Sequence, residues 1–581
     1  MTKPIRFNAF EMNCIGHQSP GLWRHPRDRS WSYNDLEYWT DLGRLLETGF
    51  FDSVFIADVI GYYDVYKGSL HPALEQGVQI PVNDPLQLAN PIAQATEHLG
   101  IGITASTSFE HPYTFARRLS TADHHTKGRV GWNIVTSYLE SGARNIGQGG
   151  LRSHDNRYDV AAEYVEVLYK LFEGSWEEGA VLRDRERGLF ADPTKIHEIG
   201  HKGRYFDVPG CHLCEPSPQR TPVLFQAGAS GAGKAFAAGH AECVFISTPL
   251  KSATAAYVRE IRAKAAAAGR DPKKVLIYAM ATIITDETDE KARRKFEEYQ
   301  TYASYDGALV LMSGWTGIDF GRYAPTDTVK KVETNAIISA VEHLSSGEKT
   351  WTIEELAKWG GIGGMGPLFV GSAATVADQL QEWIEETDVD GFNLAYALAH
   401  ETFADVIGHV VPELQRRGVY PTAYREGTLR EKLFGDGPLL PETHPAARYR
   451  DIQAVKRAEV IMLAALFGSV ALFCLLTFRS LRAVLCILVP LGIVAILCNA
   501  LMAMLGIGLK VATLPVMALG VGVGVDYGIY LYERIQHEMA EGRDLRTAFY
   551  EAMCQRGTAA VFTAVTMSIG VCTWAFAPLK F

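Results

Sequence analysis

Over its first 420 residues the chain repeats one pattern: a short apolar run, an amphipathic helical stretch, then another apolar run. The runs Ile5–Glu11, Ser53–Ala57, Ile101–Ala105, Val130–Val135, Val223–Ala227, Cys243–Ile246, Val275–Ala281 and Gly391–Ala395 predict strands. Helical patterns lie between most of them, at Asn34–Glu47, Pro112–His124, Val160–Phe172, Ser252–Ala268 and Ala374–Glu386. Strands separated by a helix of this length pair in parallel, with the helix as the crossover. The runs are apolar without strict alternation, as where both faces of a sheet are covered. Eight such units predict an α/β fold, with a closed (β/α)8 TIM barrel preferred over an open sheet. Two stretches, about 174–220 and 306–370, interrupt the pattern. They are rich in Gly, Trp and charge and read as insertions able to cover a site.

After Pro421 a polar tail leads to HPAARYR, and the character of the chain then changes. Of the 56 Lys and Arg and 66 Asp and Glu, only 10 and 8 lie beyond residue 450. The first part is therefore acidic, with no basic patch for nucleic acid. The second part carries charge-poor apolar runs, read as four transmembrane helices at about residues 459–478, 483–505, 511–532 and 557–577. Each is long enough to cross a bilayer core of ~30 Å at ~1.5 Å per residue. The expected organisation is a barrel over 1–447, a junction over 448–457 and an all-α membrane segment over 458–581. The charged stretch Glu533–Arg556 reads as a helix outside the membrane. The N-terminus, MTKPIRFNAFEMN, has no apolar core of a secretory signal. Cys474, Cys486, Cys498 and Cys572 fall in apolar runs and act as small hydrophobes. Cys211 and Cys214 form a single C-x-x-C with His201 and His212 irregularly placed, so no metal site is expected.

Barrel enzymes carry their chemistry at the C-terminal ends of the strands. The second run ends in Asp58, the third holds Thr104, and the fourth holds Asn133 and leads to Ser137. Next comes Ser153-His154-Asp155-Asn156-Arg157-Tyr158, in which His154 and Tyr158 share a face if the segment is helical. The fifth run leads into Gln226-Ala227-Gly228-Ala229-Ser230-Gly231, a glycine-rich strand-to-helix turn. Such a turn points backbone N–H groups and the Ser230 hydroxyl at an anion, as in phosphate sites. Each residue also has an ordinary structural reading: Asp58 as a helix cap, Thr104 as a packed strand residue, His154 as a surface loop residue. Gly228 to Lys234 also fits the front of a nucleotide-binding P-loop, but Ala235 stands where a magnesium-binding Ser or Thr is needed.

Together the segments GLWRHP (21–26), FDSVFIADV (51–59), EHPYTFARRLSTADHHTKGRVGWNIVTS (110–137), SHDNRYDVAAEY (153–164) and PVLFQAGASGAGKAFAA (222–238) form a recognisable series. With TGIDF (316–320) and VVPELQRRG (410–418), they closely resemble the nitrilotriacetate monooxygenase component A family, of bacterial-luciferase-like type, over residues 5–447. That resemblance implies FMN contacts at Asp58, Thr104, His154, Tyr158 and Ser230. Ser230 and Tyr158 would serve the phosphate, His154 the ribityl–phosphate region, and Asp58 and Thr104 the ring. It also implies a two-component reaction. A separate NAD(P)H-dependent flavin reductase supplies reduced FMN, dioxygen reacts at the ring, one oxygen atom passes to an organic substrate and the other leaves as water. By strand-end placement, His17, Asn133 and Ser137 are the candidates for the reacting centre. Relatives use polyaminocarboxylates, aryl sulfones and cyclic amines, and the motifs do not select among them. A homo-oligomer is compatible with this reading.

Gly520-Val521-Gly522-Val523-Gly524-Val525-Asp526-Tyr527, with KVATLPVMALG (510–520) before it, resembles a transmembrane signature of resistance–nodulation–division exporters. The resemblance implies a proton-relay role for Asp526 and a partial exporter domain, since such exporters need about twelve helices. The helices imply association with a lipid bilayer, the catalytic part being expected in the cytoplasm. Arg479 and Arg482 place the first inter-helix loop on the cytoplasmic side, whereas Arg448, Arg450, Lys456 and Arg457 pull the preceding segment there. Two other readings compete: a proton-coupled exporter fragment with a passenger domain, and a luciferase-like flavin or deazaflavin enzyme of another reaction type.

Overall fold

The apolar runs pair in parallel and close on themselves. The computed structural model describes residues 3–228, 230–328, 351–504 and 514–557, with 561 and 565. It divides the chain into two units, Met1–Arg448 and Tyr449–Phe581. In the first, the barrel strands are β1 (Arg6–Met12), β2 (Ser53–Ala57), β3 (Gly100–Ser106), β4 (Val130–Val135), β5 (Val223–Gln226), β6 (Cys243–Ile246), β7 (Leu276–Thr285) and β8 (Gly391–Ala395). Each pairs in parallel with the next, and β8 closes on β1 with Arg6 opposite Gly391. The strands are buried on both faces, which is why they read as continuous apolar runs. One strand of the barrel sheet escaped the sequence pattern: Leu368–Gly371 pairs with the second half of β7, Thr282 opposite Leu368.

Phe55, Phe225, Phe245 and Tyr278 fill the barrel. The rings of Phe225 and Phe245 stack with centroids 5.5 Å apart. Gly131 makes this packing possible, because a Cβ there would lie 2.3 Å from the Phe225 ring. The outer helices bury one stripe each; Leu36–Thr48 turns Tyr38, Trp39, Leu42, Gly43 and Leu46 inward, the three-to-four spacing of an amphipathic helix. At the N-terminal end of the barrel the helix Leu429–Phe434 acts as a plug. A reciprocal capping box between Thr428 and Glu431 starts it, and Leu429 and Leu433 join the aromatic core. Between them Arg430, fully buried, donates to both oxygens of Glu242 at 2.7 and 2.9 Å and to the Thr221 carbonyl at 2.8 Å. It thereby ties the plug to the starts of β5 and β6.

The first insertion forms two small hairpins, Val181–Asp184 with Leu189–Ala191 and His201–Lys202 with Asp207–Val208. The second begins with the helix Tyr305–Thr316, nearly all of it buried, and returns through Ile353–Gly360. Residues 329–350 lie outside the described residues.

The second unit is helical: Arg448–Phe478, Leu481–Met504, Leu514–Ala540 and Leu545–Ala552. The expectation of four membrane spans is corrected here to one clear apolar span among the described residues, Ile461–Phe478. Its 18 residues reach ~27 Å, and Leu472, Phe473 and Leu476 on it are exposed, not packed. In the second expected span the described apolar stretch is only Leu481–Val494, ~21 Å long, short of the ~30 Å hydrocarbon core. The helix Leu514–Ala540 covers most of the third, but its side chains through Asp526 lie outside the described residues, as does almost all of the fourth. The stretch Glu533–Arg556 is not one helix: the chain breaks at Gly542, whose φ of 90° lies in the left-handed region.

Candidate active site

At the C-terminal ends of the strands the barrel opens into a cavity of about 350 Å³. Register explains what meets there. Thr104 on β3 lies directly opposite Asn133 on β4, so the Asn133 amide donates to the Thr104 hydroxyl at 3.0 Å. The Asn133 carbonyl oxygen stays buried without a protein partner, as does that of Gln226 at the end of β5. Ser137 follows β4 with φ 60° and shares a 2.7 Å hydrogen bond with Ser106 at the end of β3.

Past β5 the chain turns into the helix Gly231–His240. Ser230 is its N-cap, with the hydroxyl accepting from the Gly233 amide at 3.0 Å. The neighbouring surface is bare because its residues are glycines. A Cβ at Gly228 or Gly233 would stand 3.0 or 2.7 Å from the Tyr158 hydroxyl. Tyr158 arrives on the helix His154–Tyr169, and its hydroxyl stands beside the side chains of Ser230, Gln226 and Thr136. Tyr257 donates to the Gly228 carbonyl and holds the turn from the other side. Arg157, buried beside Tyr158, also lines the cavity and brings a positive charge to this end. Hydroxyls, an amide-rich helix start and a guanidinium in one place can hold a dianionic phosphate.

The opposite end is apolar, with Phe10, Val59, Ile60, Leu139, Trp315 and Met365 on its walls. Trp315 and Met365 come from the second insertion, which is therefore the one that reaches the cavity. His17, on the loop after β1, is buried edge-on to Phe10 with centroids 4.5 Å apart. Burial pulls its imidazole down to about 3, so it is neutral at physiological pH. Asp58, at the end of β2, is pushed up to about 7 by burial and, second, by the Asp84 carboxylate.

That shift carries a stability cost with a definite sign. Unfolded, Asp58 ionises near pH 4; folded, it holds its proton to about 7, so the penalty grows between these values and is complete above them. Asp58→Asn is expected to raise the melting temperature at pH 8 and to leave it nearly unchanged at pH 4. Equal shifts at both values would show that the carboxyl is not held neutral.

Of the residues singled out in the sequence, His17, Asp58, Thr104, Asn133, Ser137, Tyr158 and Ser230 all line this cavity. His154 opens the helix that carries Tyr158, but its side chain lies outside the described residues. Sequence reasoning passed over Arg157, Tyr257 and Trp315. Arg157 could have been found, since it sits inside the segment that supplied Tyr158. Lys234, the P-loop-like lysine, points away from the turn: it pairs with Glu260 at 2.6 Å and lies over the Tyr257 ring. Near the C-x-x-C, His212 bonds to Ser120 and His201 to Lys170 and Glu163.

The chain is similar to known proteins along most of its length. Residues 10–391 match the luciferase-like monooxygenase family, and residues 443–581 match the MMPL family. The dimethyl-sulfide monooxygenase of Hyphomicrobium sulfonivorans is 50% identical over 462 residues, covering 79% of this chain and 96% of that protein. The long-chain alkane monooxygenase of Geobacillus thermodenitrificans (strain NG80-2) is 49% identical over 455 residues, covering 78% of this chain and all of that one. Among solved structures, a riboflavin lyase with modified FMN and riboflavin superposes with a TM-score of 0.73 at 36% identity, covering 77% of this chain and 100% of its own. The chain therefore belongs to the luciferase-like monooxygenases of nitrilotriacetate monooxygenase component A type, and is a flavin-dependent monooxygenase followed by an MMPL-family segment.

Proposed function

We propose that the barrel takes up reduced FMN from a separate NAD(P)H-dependent flavin reductase and uses dioxygen to oxygenate a small organic substrate. The observation that carries this reading is the convergence at one end of one cavity of the Ser230 helix start, the bare Gly228–Gly233 surface, the Tyr158 hydroxyl and the Arg157 guanidinium. The residues present fit the cofactor. A phosphate would sit at Ser230, Tyr158 and Arg157, and the orphaned oxygens of Asn133 and Gln226 suit the hydroxyl donors of a ribityl chain. Asp58 and Thr104 would face the ring, and His154 the ribityl–phosphate region. When bound, reduced FMN supplies the electrons and the dioxygen chemistry.

The protein's own part is to bind, orient and exclude water. His17, neutral and buried, offers hydrogen bonds at the reacting end without charge. Asn133, held by Thr104, and Ser137, held by Ser106, keep fixed polar atoms between the phosphate end and the apolar end. The apolar walls keep bulk water from a reaction it would divert. Relatives named for dimethyl-sulfide and alkane oxygenation support the reaction type, and the riboflavin lyase structure with modified FMN supports the cofactor.

Anaerobic titration of the full-length protein with FMNH2 is expected to show saturable binding, and a flavin reductase with NADH should then support substrate-dependent oxygen uptake. Absence of FMNH2 binding would remove the reading. The apolar span among the described residues and the MMPL match support membrane association of the C-terminal segment. The protein is expected to stay in the membrane fraction through an alkaline carbonate wash, and its release would count against an integral span.

A further inference from the structure

The cavity also bears on what the enzyme oxygenates. Among the described lining residues the only formal charges are Asp58 and Arg157. Arg157 adjoins Tyr158 at the Ser230 end, where a flavin phosphate would engage it. Among the described residues the other end offers no cation. Its polar groups are neutral and largely satisfy one another. Tyr63 donates to the Gln79 carbonyl oxygen at 2.9 Å, Gln79 donates to the His17 backbone carbonyl at 2.7 Å, and the Tyr138 hydroxyl lies 2.7 Å from that of Tyr63. The Trp315 indole lies beside both tyrosine hydroxyls. What remains is apolar wall, with His17 Nδ1 and Gln18 Oε1 as neutral polar atoms lacking partners.

We propose that this half of the cavity selects an uncharged, predominantly apolar substrate, the chemistry shared by dialkyl sulfides and hydrocarbons, and rejects carboxylated molecules. The proposal rests on the flavin reading above, since it assigns Arg157, the one cation among the described lining residues, to the cofactor. A buried carboxylate needs a counter-charge or several donors to offset its lost hydration. Here it would meet aromatic and aliphatic surface, with the Asp58 carboxyl also on the cavity wall and a further source of repulsion once ionised. An apolar molecule gains by leaving water for the same surface. Polyaminocarboxylates, used by some members of the family, are therefore the wrong class for this chain.

The test is a matched pair with the same C–S–C core: diethyl sulfide and thiodiacetate, titrated calorimetrically into the full-length protein loaded with oxidised FMN, which fills the site without turnover. Diethyl sulfide is expected to bind saturably, with a Kd lower than that of thiodiacetate by about 100-fold or more. A smaller preference, the reverse preference, or no saturable binding of diethyl sulfide overturns the proposal. In Ile60→Arg, which adds a cation on a partly exposed wall residue, the gap should narrow by about tenfold or more. An unchanged gap counts against the electrostatic argument. FMN loading is measured first. A protein that takes up neither oxidised FMN nor, anaerobically, FMNH2 loses the flavin reading, whereas one that binds the flavin and does not discriminate loses only the substrate class.

Discussion

Replacing Ser230 by glutamate is expected to weaken FMN binding by about 100-fold or more while leaving the barrel folded. The substitution puts a carboxylate where the phosphate would sit, and fills the space that Gly228 and Gly233 leave beside the Tyr158 hydroxyl. Like charges at contact distance in a partly desolvated site repel by several kcal/mol, which sets the size of the effect. The fold should tolerate the change, because a negative side chain at a helix N-terminus is favourable and Ser230 is only half-buried. Ser230→Ala separates charge from hydrogen bonding. It removes the cap to Gly233 and one donor, and should cost about tenfold in affinity and about 1 kcal/mol in stability. Fluorescence titration with FMN reads all three proteins. Unchanged affinity in Ser230→Glu would place the phosphate elsewhere.

The second large effect concerns stability alone. Arg430→Met is expected to cost about 3–5 kcal/mol, because it leaves Glu242 buried at the base of the barrel with its bidentate partner gone. The same change removes the donor to the Thr221 carbonyl, freeing a second buried acceptor. In a unit of this size the melting temperature of the barrel should fall by about 3–5 °C. The double variant Arg430→Met with Glu242→Gln should recover part of the loss, since the dominant penalty is the unpaired carboxylate. Glu242 also accepts from the Leu224 amide at 3.0 Å, a bond that glutamine can keep. Arg430 sits at the end of the barrel opposite the cavity, so FMN affinity below the melting transition should not change. A loss of affinity equal to the loss of stability would show that the two ends are not independent.

The barrel was readable from the chain because parallel strands covered on both faces must be apolar throughout, and the helices between them must show one apolar stripe. β2, β4, β6 and β8 start and stop where their apolar runs do. β7 does not: it runs on to Thr285 because Leu368–Gly371 pairs with its far half, and a pairing partner about 85 residues away leaves no local mark. The strand-end residues Asp58, Thr104, Asn133 and Ser230 could be located in advance because barrel geometry sends every strand end to the same face. Trp315 and Tyr257 could not, since an insertion and an outer helix bring them in from elsewhere.

Local pattern, then, determined the class of fold, the two-part division of composition and the positions where chemistry would gather, since each depends on side-chain periodicity along a few consecutive residues. Three-dimensional packing alone decided that Lys234 turns to Glu260 instead of a phosphate, that Asp58 keeps its proton to about pH 7, and that among the described residues the cavity's one guanidinium, that of Arg157, adjoins Tyr158. Those outcomes depend on which distant groups stand within a few ångströms, and on how much water the intervening walls exclude.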